Sequence, residues 1–217
     1  MDLVKKKDMK EIINYDLTDK FMMENYENRF LFLNNEIDET IVNDIVYYVF
    51  RYNQEDIGIP VDDRKPITVF INSPGGSVFD GFSAIDAITQ SITPVYTVNI
   101  GLCASMGYLI YIAGHKRFTM PHSTFLMHEG SCMDFGATSK VKDRIEFEAG
   151  ELEQVTRKYV LDRTNIEPDF YEKKYRVEFY FLPPKAKELG VAHYIVGEDC
   201  NISDLLGGNV KNSREVK

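Results

Sequence analysis

The chain has 217 residues, of which 44% are hydrophobic and 27% charged, with a formal net charge of −9. That length accommodates one domain with a substantial core, and the acidic balance argues against nonspecific binding to nucleic acid or an anionic membrane surface. Cys103, Cys132 and Cys200 cannot all pair within one chain and lack metal-ligand spacing, which predicts free thiols in a reducing cytoplasm; no secretory h-region follows Lys5-Lys6-Lys7, and no apolar run is long enough to cross a bilayer.

Residues 1–27 are polar and read as a loosely held arm with at most a short helix. Arg29-Phe30-Leu31-Phe32-Leu33 reads as the first strand. A turn at Glu36 to Thr40 opens a helix whose one face carries Ile41, Ile45, Val46, Val49 and Phe50. A polar loop from Gln54 to Pro66 leads into a buried strand, Ile67 to Asn72, closed by the turn Ser73-Pro74-Gly75-Gly76. Next come a helix over 78–91, a strand over 94–100 ending at Gly101, a helix over 104–113 and two short strands over 116–120 and 124–127. Segment 141–161 predicts one long charged helix with an apolar stripe of Val141, Ile145, Leu152, Val155 and Tyr159. Pro183 to Gly190 reads as a short helix stopped by glycine, Val191 to Val196 as a closing strand, and 207–217 as a disordered tail.

Alternating strands and helices predict an α/β domain with parallel strands, whose sites gather at the carboxyl ends of those strands. Two loops fall there. Gly101-Leu102-Cys103-Ala104-Ser105-Met106-Gly107 places a serine where a strand hands over to a helix, with the helix's first N–H groups pointing the same way. Gly75 and Gly76 allow a substrate to approach backbone closely. His128 lies at another strand end, in Phe125-Leu126-Met127-His128-Glu129-Gly130, and can take the Ser105 proton. Met106 N–H would face an oxyanion formed on a carbonyl attacked by Ser105, with a second donor from the glycine turn. Taken singly, a helix-capping serine, a structural histidine and a glycine turn all have ordinary explanations.

Asn72-Ser73-Pro74-Gly75-Gly76, the block from Gly101 to Gly107 and Met127-His128-Glu129 resemble the signature blocks of the ClpP family, the proteolytic subunit of Clp proteases, over about residues 28–197. The resemblance implies a ClpP/crotonase-like α/β fold with parallel sheet layers, surrounding helices and a projecting handle helix at 141–161, within a single peptidase domain. It implies a serine endopeptidase in which Ser105 and His128 are catalytic and Gly76 and Met106 form the oxyanion hole. The family's third triad position falls at Glu178, a glutamate in place of an aspartate, with Asp162 and Asp169 as alternatives. No cofactor or metal is called for. The implied assembly is a double heptameric ring enclosing the active sites, degrading unfolded polypeptides and small peptides in the cytoplasm, with an AAA+ Clp ATPase as possible partner and no nucleic acid or membrane. A catalytically impaired ring subunit, a viral capsid-type protease and a crotonase-type acyl-CoA enzyme are the alternatives.

Overall fold

The computed structural model describes residues 17–130 and 136–207. Cys132, residues 1–16 of the expected arm and nearly all of the expected tail lie outside them. The last part of the arm is a helix, α1 (Leu17–Asn28), leading into strand β1 (Phe30–Leu33). A π-helical turn, Val42–Val46, continues into α2 (Tyr47–Glu55). Then follow β2 (Ile67–Ser73), α3 (Val78–Thr89), β3 (Val95–Ala104), α4 (Met106–Ala113), β4 (Lys116–Thr119) and β5 (Thr124–Met127). The remainder is α5 (Thr138–Phe147), α6 (Glu153–Arg163), α7 (Pro168–Tyr175), β6 (Phe179–Phe181), α8 (Pro183–Glu188), β7 (Tyr194–Ile195) and α9 (Ile202–Gly207).

The strands form one sheet in the order β1-β2-β3-β4-β7, parallel throughout, with β5 joined to β3 and β6 joined to β5. β3 is the hinge of this topology. Its first half pairs with β4 (Tyr96↔Lys116 to Asn99↔Thr119), and its second half pairs with β5 (Leu102↔Thr124 to Ala104↔Leu126). The fork is stitched by asparagine side chains: Asn99 Nδ2 donates to Thr124 O at 2.9 Å, and Leu102 N–H donates to Asn72 Oδ1 at 3.1 Å. A Cβ at Gly101 would fall 2.5 Å from Asn72 Oδ1, so a glycine is required there by close approach. The sequence reading ended this strand at Gly101; the asparagine clamps carry it on to Ala104.

Period-two alternation divides the central strands between two cores. Ile67, Val69, Ile71 and Val95 face α2, α3 and α4, whereas Phe70, Tyr96, Val98 and Phe118 face the opposite side, where Leu205 of α9 packs. α4 is buried at every residue except Leu109, as its unbroken apolar run requires. Its C-terminal carbonyls are held by two guanidinium groups. Arg163 donates to Ile112 O, Ala113 O and Gly114 O, and Arg117 donates to Ile112 O, Gly190 O and Arg163 O. Positive charge at this end complements the helix dipole. Burial pushes the Arg117 guanidinium down to about 10. His193 Nε2 sits 2.5 Å from it, and burial together with that cation pushes the imidazole down to about 3, so the ring is neutral.

The expected uniform helix over 141–161 is instead α5 and α6 joined by a π-helical turn at Glu148–Leu152. The wider turn shifts the helical phase, so the stripe does not form one continuous buried face. No residue of α5 is buried, while Thr156 and Val160 of α6 are. Ile145, Phe147 and Val155 remain exposed. α7, β6 and α9 were not anticipated as elements, and the closing strand shrinks to Tyr194–Ile195.

Candidate active site

Ser105 occupies the junction between β3 and α4 with φ 54° and ψ −122°, a left-handed conformation disfavoured for any residue bearing a Cβ. The surrounding bonds enforce it. Its N–H donates to Leu126 O at 3.0 Å, continuing the β3–β5 ladder, while its carbonyl accepts from Tyr108 and Leu109 N–H at 3.0 and 3.2 Å as the first turn of α4. The N–H groups of Met106 and Gly107, at the head of that turn, have no intrahelical carbonyl to bond. The bond to Leu126 also sets Ser105 beside the strand whose end, two residues on, is His128.

The glycine turn closes against this junction. Gly75 has φ +100°, and a Cβ there would lie 2.7 Å from Ser105 Cβ and 3.0 Å from Met106 N. Its N–H donates to Ser73 Oγ at 3.2 Å. Ile37 bridges the next residue: Ile37 N–H donates to Gly75 O and Ser77 N–H donates to Ile37 O, both at 2.8 Å. In a parallel bridge of this pattern the Gly76 N–H is directed away from Ile37. Gly76 has φ +145°, and a Cβ would strike Ile37 O at 2.3 Å. The turn is therefore locked from behind by Ile37 and in front by Ser105.

His128 is placed by strand pairing. β5 and β6 are antiparallel with Met127 opposite Phe179, so the next step of the ladder sets His128 opposite Glu178. The side chains meet: His128 Nδ1 and Glu178 Oε1 are 3.2 Å apart. Glu178 is largely solvated, at 60% exposure, against 21% for His128. The Glu178 carboxylate also faces the Tyr180 hydroxyl, two residues along the same side of the strand, and raises the phenol's pKa. The two alternative acids go elsewhere. Asp162 pairs with Lys158 on α6, and Asp169 lies in the first turn of α7. Glu129, next to His128, is held by its N–H, which donates to Tyr175 O at 2.6 Å, and by Arg176, which bonds Glu129 at 2.9 Å and Glu153 at 3.1 Å.

Ser105, Met106 and His128 line one cavity. Its other walls come from α3, α4, α6 and α7, including Leu109, Thr156 and Val160. Ser105 Oγ and the His128 ring share this cavity without a hydrogen bond between them, a separation that such pairs often close only with substrate in place. Sequence reasoning missed the cavity wall formed by Tyr171 and Tyr175, although their i, i+4 spacing after Pro168 was a legible helix signal. The rings stack at 4.8 Å. Among the described residues, no group of three His, Cys, Asp or Glu side chains is placed to hold a metal, and no helix is long and apolar enough to cross a membrane.

A strained serine at the head of a buried helix and a histidine bonded by a carboxylate thus share one cavity at the carboxyl edge of a parallel sheet, with a glycine turn packed against the serine. The class defined in this way is an α/β domain with a parallel sheet and surrounding helices. The chain belongs to the Clp protease family, a sequence model of which matches residues 13–199. It is 32% identical over 174 residues to the ATP-dependent Clp protease proteolytic subunit 3 of Parasynechococcus marenigrum, covering 77% of this chain and 82% of that protein. Subunit 2 of Prochlorococcus marinus subsp. pastoris is 30% identical over 181 residues, covering 81% of this chain and 85% of its own length. A subunit 3 from a Synechococcus species is 38% identical over a shorter stretch of 127 residues, 57% of this chain and 58% of its own.

Proposed function

We propose that the chain is a serine endopeptidase, the proteolytic subunit of a Clp-type protease. Ser105 Oγ attacks the scissile carbonyl carbon while His128 Nε2 accepts its proton. Glu178 holds the Nδ1 proton of His128 and stabilises the imidazolium. The carbonyl oxygen, now an oxyanion, is bonded by the N–H groups of Gly76 and Met106, with the positive end of α4 behind them. Collapse of the tetrahedral species breaks the C–N bond, His128 returns the proton to the leaving amine, and water then cleaves the acyl-serine by the same steps in reverse. No cofactor or metal enters this scheme.

The observation that carries the reading is the arrival of Ser105 and His128 on one cavity with Glu178 on the far nitrogen of the imidazole. The assembly that fits is a double heptameric ring formed through the helical handle, where Ile145, Phe147 and Val155 are exposed. Unfolded polypeptides and small peptides are its substrates, an AAA+ Clp ATPase its feeding partner and the cytoplasm its compartment; the names of the relatives support the ATPase. A catalytically impaired ring subunit is the second reading, favoured by the absence of a Ser105–His128 hydrogen bond.

One experiment separates the two. Size-separated oligomers of wild type and Ser105→Ala are assayed with a fluorogenic peptide and labelled with a fluorophosphonate. Peptidase activity and labelling that reside in the large species and vanish in the variant support the endopeptidase. Assembled wild-type rings with an unlabelled serine favour the impaired subunit.

A further inference from the structure

The glycine turn that faces Ser105 is held by a side chain that the proposed reaction does not use. Ser73, the last residue of β2, is fully buried. Its hydroxyl donates to Asn35 O at 2.6 Å and accepts the Gly75 N–H at 3.2 Å. The same side chain lies against the head of α4, since a Cβ at Gly107 would fall 3.3 Å from Ser73 Cβ and 3.5 Å from its Oγ. One oxygen thus ties the segment after β1 to the glycine turn, beside the helix that Ser105 opens. The three successive N–H groups of the turn are then unequal. That of Gly75 is committed to Ser73, and that of Ser77 to Ile37 O. Among the described residues no acceptor is bonded to the N–H of Gly76 between them. Two consecutive glycines at φ +100° and +145° have no side chains to hold their peptide planes. A donor that must point one way before charge develops needs an outside restraint, and a buried hydroxyl with one bond donated and one accepted supplies it.

We propose that Ser73 is a positioning residue, whose hydroxyl fixes the Gly75 peptide so that the Gly76 N–H is aimed at the oxyanion. The proposal rests on the serine-peptidase reading. Ser73 is buried and does not line the cavity, so it acts through the turn and not on the substrate. Its effect is confined to steps in which charge grows on the carbonyl oxygen: binding of the intact peptide is indifferent to the aim of Gly76, and the tetrahedral species is not. Without the hydroxyl, the Gly75 N–H is left unpaired in the interior, and the glycine peptide planes rotate to relieve it, carrying the Gly76 N–H with them. Ile37 still holds the Gly75 carbonyl and the Ser77 N–H. The turn therefore keeps its place and loses its aim.

The test compares wild type with Ser73→Ala and with Ser73→Cys, which puts a weaker donor and acceptor in the same place. A fluorogenic peptide gives kcat and KM. Two inhibitors of matching sequence report separately: a peptide aldehyde, which adds to Ser105 and sets an oxygen where the oxyanion forms, and the corresponding alcohol, which cannot add. Ser105 is labelled with a fluorophosphonate in each protein. Ser73→Ala is expected to lose about 10-fold in kcat and in aldehyde affinity, less than loss of the donor itself, with KM and alcohol affinity within about 2-fold of wild type. Ser73→Cys is expected to fall between the two. An alanine variant with wild-type kcat overturns the proposal. So does a loss shared equally by KM, aldehyde and alcohol, which marks the hydroxyl as a structural bond only. With an alanine variant that does not fold, a cysteine variant of wild-type kcat overturns the proposal, and one of lowered kcat at unchanged KM upholds it. In all these outcomes wild type is labelled and active; a wild type that is unlabelled and cleaves nothing overturns the peptidase reading itself.

Discussion

Glu178 is one methylene longer than an aspartate, yet it bonds His128 Nδ1 at 3.2 Å because antiparallel pairing of β5 with β6 sets the two residues opposite each other. Its exposure gives the carboxylate room. Replacing Glu178 by Gln removes the charge that the proposed mechanism uses to stabilise imidazolium and leaves the backbone pairing untouched. Turnover should fall by roughly 10²–10⁴-fold, the usual range for acid–base assistance, with the oligomer intact on size exclusion. Equal activity would take Glu178 out of the mechanism. Gly75 offers a sharper steric test. An alanine there would need φ +100° and would place its Cβ 2.7 Å from that of Ser105. Gly75→Ala should abolish fluorophosphonate labelling while the far-ultraviolet spectrum stays native, because the clash displaces the serine turn and spares the sheet.

At the scale of elements, the helix carrying Ser105 is clamped at both ends. Its head is shaped by the bonds of Ser105 to Leu126, Tyr108 and Leu109, and its tail by Arg117 and Arg163. Arg163 is the last residue of α6, so α6 is bonded directly to the end of the serine helix. Tyr159 reinforces it by donating to Leu109 O at 3.1 Å. The outer half of the handle is different: α5 buries nothing within the subunit and leaves Ile145 and Phe147 exposed. An aspartate at Ile145 should therefore split the proposed double ring with little change in the melting of the subunit itself. Analytical ultracentrifugation that still finds the full particle in Ile145→Asp would remove α5 from the ring contact.

At the scale of the whole molecule, stability depends on polar groups buried at the two margins of the sheet. Arg29 and Asp56 form a two-pronged pair, both bonds 2.7 Å, and Thr93 adds a third to the carboxylate. The guanidinium lowers the Asp56 pKa below its ordinary 3.8, so this pair's stabilisation is present above that value and is lost as pH falls further. His193 acts at higher pH. Its folded value of about 3 lies below the ordinary 6.5, so the unfolded chain binds a proton that the folded chain refuses. Stability from the neutral ring is complete above about 6.5 and erodes as pH falls toward 3. Melting temperature should thus decline between pH 7 and pH 5 in wild type and decline less in His193→Gln, which cannot titrate; parallel curves would contradict the burial-driven shift.

Hydrophobic patterning alone marked β1, β2, α3, α4, β4 and β5, because apolar runs bounded by glycine or proline leave little choice of local structure. That Ser105 and His128 lie at element ends was legible for the same reason: each sits where a periodic segment stops. Glu178 was legible only through family resemblance. Three-residue β6 has no period of its own and becomes a strand because β5 offers it an open edge. The fork at β3, the phase shift between α5 and α6 and the neutral His193 were equally invisible. They depend on which distant groups meet: Asn72 with Leu102, Tyr159 with Leu109, Arg117 with His193. Local propensity acts over a few residues and wrote the order of elements into the chain. Burial and charge act across the fold, and tertiary packing decided how those elements combine into a site.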